Sequence, residues 1–291
     1  MPSSPRPRPK LVPSASAEAV LAESAGDAGF ATTLAKGLVV LEAFDARATA
    51  LGNSELSART GIPRPTVARL THTLAELGYL RYDESLAKYR LGARPLRIMR
   101  PLLAGMAFRQ AARPLMQELA ESVRGTVSIG LLDGTDAIYV ETARSGDVGA
   151  HQPDIGLPIP VIKTAMGRAI AAVLPPDELA LLEEQMKADS PELWTSFRDR
   201  YSAGIRQCGA DGFCTCFGEY IPAIHAVAAP LFHARELKQT FSINCGIPAF
   251  RLQPGQLEAE IGPRIAGLAE SIRALAQASE PRPATTKRTR G

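Results

Sequence analysis

Two hydrophobic periods divide the chain. Up to about Leu77 apolar residues recur every three or four positions, the spacing that lines one side of a helix; from Gly125 onward they alternate or run on in short stretches, as strands do. The first part reads as three helices. Thr33 to Phe44 turns Leu34, Leu38, Leu41 and Phe44 or Val40 inward. Ser54 to Thr60 is capped by Asn53 or Ser54 and stopped by Gly61, because glycine accepts the left-handed backbone of a helix stop. The third opens on Pro63-Arg64-Pro65 and stops at Gly78, with Val67, Leu70, Leu74 and Leu77 on one side and Pro65, Ala68, Arg69, His72 and Glu76 on the other. Tyr79 to Tyr82 and Lys88 to Leu91 then alternate as two strands around a turn at Asp83 to Ala87. Three helices followed by a hairpin make a winged helix-turn-helix.

Leu96 to Val123 is mostly helical, with Pro101 and Pro114 expected to end or kink it. Leu102, Leu103, Met106 and Phe108 are available there for contacts with a second copy. A hairpin follows, Thr126 to Leu132 and Ala137 to Thr142, turning at Asp133-Gly134. Beyond it come a short strand at Val148 to His151, a loop from Pro153 to Pro160, and helices Thr164 to Leu174, Pro175 to Met186 and Leu193 to Cys208. Strands at Phe213 to Phe217, Ile224 to Ala229 and Gln239 to Cys245 lead to a closing amphipathic helix from Pro254 to Ala278. The order predicts an α+β domain with a central antiparallel sheet flanked by helices. The expected layout is a tail over 1–29, a DNA-binding domain over 30–95, linker helices over 96–123, a sensory domain over 124–279 and a basic tail over 280–291.

Charge sharpens the role of the first domain. Phe30 to Arg100 carries eleven basic and six acidic residues, whereas Pro101 to Ser279 carries fifteen and twenty. The polar side of the third helix has the chemistry of a helix that reads a DNA major groove. Arg64 and Arg69 suit phosphates or guanine edges, Thr66 and Thr73 suit phosphates, and Ala68 permits close approach. Pro65 and His72 share that face. Arg81, Lys88 and Arg90 on the wing suit backbone phosphates. The 291 residues allow two ordinary domains. Arg6, Arg8 and Lys10 in the first tail are either solvated or a basic arm, in a stretch expected to be disordered or weakly helical near Ala17 to Ser24. With no signal-peptide pattern and no long apolar run, a cytoplasmic protein with reduced thiols and no membrane contact is expected.

The stretches SELSARTGIPRPTVARLTHTLAELGYL and YRLG, followed by GTVSIGLLDGTDAIYVET, TAMGRAIAAVLP, IRQCGADGFCTCFGEYIPAIHAVAAPL and INCG, resemble the IclR family of bacterial transcriptional regulators from about Thr33 to Ala278. The resemblance implies a homodimer, often a dimer of dimers, on near-palindromic promoter DNA. It also implies a GAF-like domain that binds a small effector, often an organic or aromatic acid, in a repressor, an activator or both. By position within these motifs the effector pocket includes Ala165, Met166, Cys216, Ile224, Ala226, Ile243 and Cys245, with His151 a further candidate. The start of the TAMGR helix suits a carboxylate through its free N–H groups. Cys216, Ile243 and Cys245 stand where family pockets use a carboxylate or hydroxyl, which predicts a less polar ligand face.

Two other functions are open to these residues. Cys214, Cys216, His225 and Cys245 are soft ligands that would serve a metal or thiol-redox sensor. A CxC pair on a strand equally well buries two small apolar side chains on one face. A cysteine enzyme would need His225 or His151 as its base, and no GxSxG, HExxH or Walker pattern occurs. The sequence therefore points to a regulator rather than an enzyme, with no cofactor and no resident metal.

Overall fold

A computed structural model describes residues 27–146 and 153–279. The chain divides into two compact units at Gly105–Met106. The tails and the Val148 to His151 strand expectation lie outside the described residues.

In the first unit, helices α1 (Thr32–Glu42), α2 (Asn53–Thr60) and α3 (Arg64–Glu76) precede a two-stranded wing, β1 (Leu80–Asp83) and β2 (Lys88–Leu91). Gly61 and Gly78 stop α2 and α3 with φ of 67° and 75°. The cap of α2 is Gly52, whose N–H donates to the Glu55 carboxylate at 2.8 Å; neither Asn53 nor Ser54 is the cap. Leu51 exchanges backbone hydrogen bonds with Tyr89, both at 2.9 Å, and so ties the wing to the α1–α2 connection. The core joins Val39, Val40, Leu51, Leu56, Ile62, Val67, Leu70 and Leu80.

Three expected core positions face outward. Leu34 and Leu38 are 64% and 51% exposed, because α1 buries the Gly37–Val40 stripe instead, with Leu41 and Phe44 half-buried beside it. Gly37 sits under the Leu70 side chain, in the contact between α1 and α3. Leu77 lies one residue past the end of α3 and is exposed. Helix α4 (Arg94–Ala104) continues through Pro101 and buries no residue, leaving Leu96, Ile98, Met99 and Leu102 in the open.

The second unit begins with α5 (Ala107–Val123), which runs through Pro114. The helical break therefore falls at Gly105–Met106 and not at either proline; a proline removes one backbone bond, and the surrounding turns carry the helix past it. Met106 and Phe108 are buried in this unit, with Phe108 edge-on to Phe232 and Phe241, so they are not free for contacts with a second copy.

Six antiparallel strands form one sheet in the order β5-β4-β3-β8-β7-β6. They are β3 (Thr126–Asp133), β4 (Asp136–Arg144), β5 (Pro158–Pro160), β6 (Cys214–Phe217), β7 (Ile224–Ala234) and β8 (Gln239–Pro248). The short β5 forms within the stretch expected to be a loop, Pro153 to Pro160. One sheet face packs on α5 and on α9 (Gly262–Ser279), which bury Met116, Leu119, Ile265 and Ile272. The other packs on α6 (Ala165–Ala171), backed by α7 (Pro176–Asp189) and α8 (Pro191–Asp211). Thr164 caps α6 by accepting from the Gly167 N–H at 3.1 Å. A side chain at Gly130 would collide with the Met166 thioether, so this glycine lets α6 lie against the sheet. Among the described residues no helix is long and apolar enough to cross a membrane.

Candidate functional site

The first candidate surface is the outer side of α3. Arg64, Pro65, Ala68, Arg69, His72 and Thr73 are all exposed and Thr66 is half-buried, while Val67, Leu70 and Thr71 anchor the helix from beneath. The Thr71 hydroxyl donates to the Val67 carbonyl at 3.0 Å and meets Asn53 Oδ1 at 3.1 Å, which fixes α3 against α2. The helix thus presents two guanidinium groups and a small residue on a rigid base, the arrangement that lets base edges be approached closely.

The wing is less free than its cations suggest. Lys88 Nζ lies 2.8 Å from Glu55, and Arg90 Nε lies 3.1 Å from Asp83. Both carboxyls are held below the usual carboxylate range. Glu55 is lowered by the Gly52 N–H and then by Lys88; Asp83 is lowered by the Ser85 hydroxyl and then by Arg90. Exposed pairs of this kind are weak, so phosphates can compete for either cation. Arg81, opposite Arg90 in the hairpin, is exposed and has no acidic partner among the described residues.

The second candidate site is a cavity of about 60 Å³, open at its mouth, between the sheet and the start of α6. Its walls come from β3 (Thr126, Ser128), β4 (Tyr139), β8 (Asn244, Gly246, Pro248), β7 (Ile224, Ala226), Ile159, Thr164, Ala165 and Cys216. Pro153, Tyr220 and Ile221 complete the lining. None of these described residues carries a formal charge. Ser128 and Thr142 share a hydrogen bond at 3.1 Å, the Cys216 thiol donates to the Lys163 carbonyl at 3.4 Å, and the Thr164 hydroxyl donates to the Pro160 carbonyl at 2.9 Å. Burial pushes the Tyr139 phenol up to about 12, against a smaller opposing effect of the Asn244 amide.

Four of the positions expected to bind an effector line this space: Ala165, Cys216, Ile224 and Ala226. Met166 is fully buried beneath it, against Gly130. Ile243 and Cys245 point to the opposite face of β8, toward α5 and α9, and Asn244 and Gly246 face the cavity in their place. The cause is the two-residue period of a strand, by which a shift of one position moves every side chain across the sheet. Along β8 the cavity wall therefore carries the Asn244 amide and the bare Gly246 where the sequence reading placed Ile243 and Cys245. His151 lies outside the described residues. Asn244 carried a usable signal, being the one amide in the apolar run Phe241 to Ile247. Tyr139 carried none, because its orientation depends on a bulge. Tyr139 pairs with Gly130 while Glu141 pairs with Ile129, so the extra residue Val140 sends Tyr139 to the cavity and Glu141 to the α5 face.

The cysteines do not gather into one site. Cys214 and Cys216 face α6, whereas Cys245 and His225 lie on the other face of the sheet. His225 packs its ring edge-on to Phe217. The Cys214 thiol is raised by its hydrogen bond with Cys208 and by burial, and burial pushes Cys245 up to about 12. Such thiols stay protonated, which disfavours both metal ligation and nucleophilic attack.

A winged helix-turn-helix with a basic outer helix, joined in one chain to an α+β unit enclosing a cavity, defines a ligand-responsive DNA-binding regulator of transcription. Comparison with known proteins makes the class specific. Residues 33–84 match the IclR helix-turn-helix domain and residues 101–274 match the bacterial transcriptional regulator IclR C-terminal domain. The chain is 31% identical over 215 residues, 72% of each protein, to the Pca regulon regulatory protein of Pseudomonas putida. It is 28% identical over 255 residues to the p-hydroxybenzoate hydroxylase transcriptional activator of Acinetobacter baylyi, covering 83% of this chain and 90% of that one. The crystal structure of an IclR family transcriptional regulator from Brucella abortus superposes with a TM-score of 0.76 at 34% identity, over 89% of this chain and 96% of that one. The chain belongs to the IclR family: it is a transcriptional regulator with an effector-binding C-terminal domain, a family of DNA-binding proteins and not of enzymes.

Proposed function

We propose that this regulator reads promoter DNA with Arg64, Pro65, Thr66, Ala68, Arg69, His72 and Thr73 in the major groove, while Arg81, Lys88 and Arg90 hold the flanking backbone. It works in the cytoplasm as a homodimer. The apolar residues Leu96, Ile98, Met99 and Leu102 of α4, a helix with no buried residue of its own, supply surface for that association. A small aromatic acid in the cavity controls DNA affinity. The observation that carries this reading is the cavity itself, whose apolar walls (Ile159, Ile221, Ile224, Pro248) suit a ring and whose hydroxyl and amide groups suit polar substituents. Relatives named for the Pca regulon and for p-hydroxybenzoate hydroxylase support the choice of aromatic acids. His151, two residues before Pro153 in the sequence, is a further candidate for the effector site.

The test measures affinity for the promoter fragment upstream of the regulator's own gene, by fluorescence anisotropy, with and without benzoate and its hydroxylated derivatives. An affinity change of five- to 150-fold, a coupling of roughly 1–3 kcal/mol, is expected with at least one acid. Equal affinities with every acid that binds would refute effector control by this class.

A further inference from the structure

We propose that the effector carries a hydroxyl group, and that Tyr139 and Asn244 together recognise it. This inference rests on the aromatic-acid reading of the cavity and adds a chemical requirement that the reading does not contain. Asn244 lines the cavity with 8% of its surface exposed, and its side-chain oxygen is buried with no hydrogen-bond partner among the described residues. A buried acceptor left unpaired is costly, and native interiors seldom tolerate one without a reason. Three other polar side chains of the wall are engaged already: Ser128 with Thr142, Thr164 with Pro160 and Gly167, and Cys216 with Lys163.

Tyr139 on β4 and Asn244 on β8 line the same cavity, on either side of β3. Into that cavity the Tyr139 O–H can donate and the unpaired Asn244 oxygen can accept. A single ligand atom that accepts one hydrogen bond and donates another completes both, and a hydroxyl is that atom. A carboxylate, which only accepts, completes one of the two; a hydrogen atom completes neither. Tyr139 keeps its proton through the physiological range, because burial outweighs the amide's effect.

The experiment is isothermal titration calorimetry on the full-length protein with matched ligand pairs: 4-hydroxybenzoate, 3-hydroxybenzoate and benzoate. The proteins are the parent, Tyr139→Phe and Asn244→Leu. Sites built to bond a ligand hydroxyl reject the analogue that lacks it. The parent should therefore bind one hydroxylated acid at least ten-fold more tightly than benzoate. Tyr139→Phe, which removes one oxygen only, should bring that ratio below three-fold with benzoate affinity retained. Asn244→Leu should do the same and should bind benzoate no more weakly than the parent does. If benzoate binds as tightly as both hydroxylated acids, or if the ratio survives in both variants, the hydroxyl reading is overturned while the aromatic-acid reading stands. If no member binds the parent, the aromatic-acid reading fails and takes this inference with it.

Discussion

Glu141 offers the sharpest test of the interior. It sits on β4 with 1% of its surface exposed, and its carboxylate receives Arg109 on one oxygen and Arg113 on the other, both from α5. The two arginines differ in their stakes. Arg113 is 59% exposed at its side chain, so water screens it and its pair contributes at most about 1 kcal/mol. Arg109 is 11% exposed, and its Nε has no acceptor among the described residues. Truncating Glu141 to alanine leaves that guanidinium buried without a counter-charge, a loss of about 3–5 kcal/mol. The single tryptophan, Trp194 on α8, lies in the same unit, so its fluorescence follows this unit and not the reader. Urea unfolding at pH 7 should show Glu141→Ala with a much lower midpoint and an unchanged slope. The double variant Arg109→Met/Glu141→Leu should recover most of the loss, because an apolar pair of similar volume replaces both charges. A loss below about 1 kcal/mol in the single variant, or a double variant no better than the single, would refute the assignment of the cost to an orphaned charge.

Two further outcomes follow from charges elsewhere. Burial, and then Asp133 and Asp189, raise the Asp136 carboxyl, so its ionised form opposes folding. Asp136→Asn should therefore raise the melting temperature at pH 7, with a gain that shrinks as pH falls through the carboxylate range, where the parent's acid is protonated in both states; a gain independent of pH would contradict this. In the reader, Arg69→Ala should weaken specific promoter binding by about 1–3 kcal/mol and relax base preference, whereas Arg81→Ala should weaken specific and random duplexes alike and lower the salt slope by about one. Anisotropy titrations at several salt concentrations separate the two, and equal losses on both duplexes for both variants would reject the division.

Local chemistry was legible along the chain. Gly61 and Gly78 stop their helices because no other residue takes positive φ as cheaply, and Thr164 caps α6 because its hydroxyl reaches the Gly167 N–H. The hairpins at Asp83–Ala87 and Asp133–Gly134 follow from turn residues between alternating runs. Each depends on a few neighbouring residues, so sequence is enough.

What sequence left undecided turns on contacts between distant residues. Helix α1 carries two apolar stripes, Leu34–Leu38 and Gly37–Val40–Leu41, and only its packing against α3 and the rest of the unit selects the second for the core. Along β8 either parity satisfies the alternation, since Phe241, Ile243 and Cys245 are buried as fully on one face as Ser242 and Asn244 nearly are on the other. The helices on both sides of the sheet decide which parity meets the cavity. The bulge at Val140 belongs to the pairing of β4 with β3, and it alone puts Tyr139 on the cavity side and Glu141 on the α5 side. The sequence by itself determined the elements and the kind of protein they build, because periodicity, caps and turns are local. The face each strand gives to the ligand was decided only by tertiary packing, because a one-residue change of register inverts it at no cost that the neighbouring residues can sense.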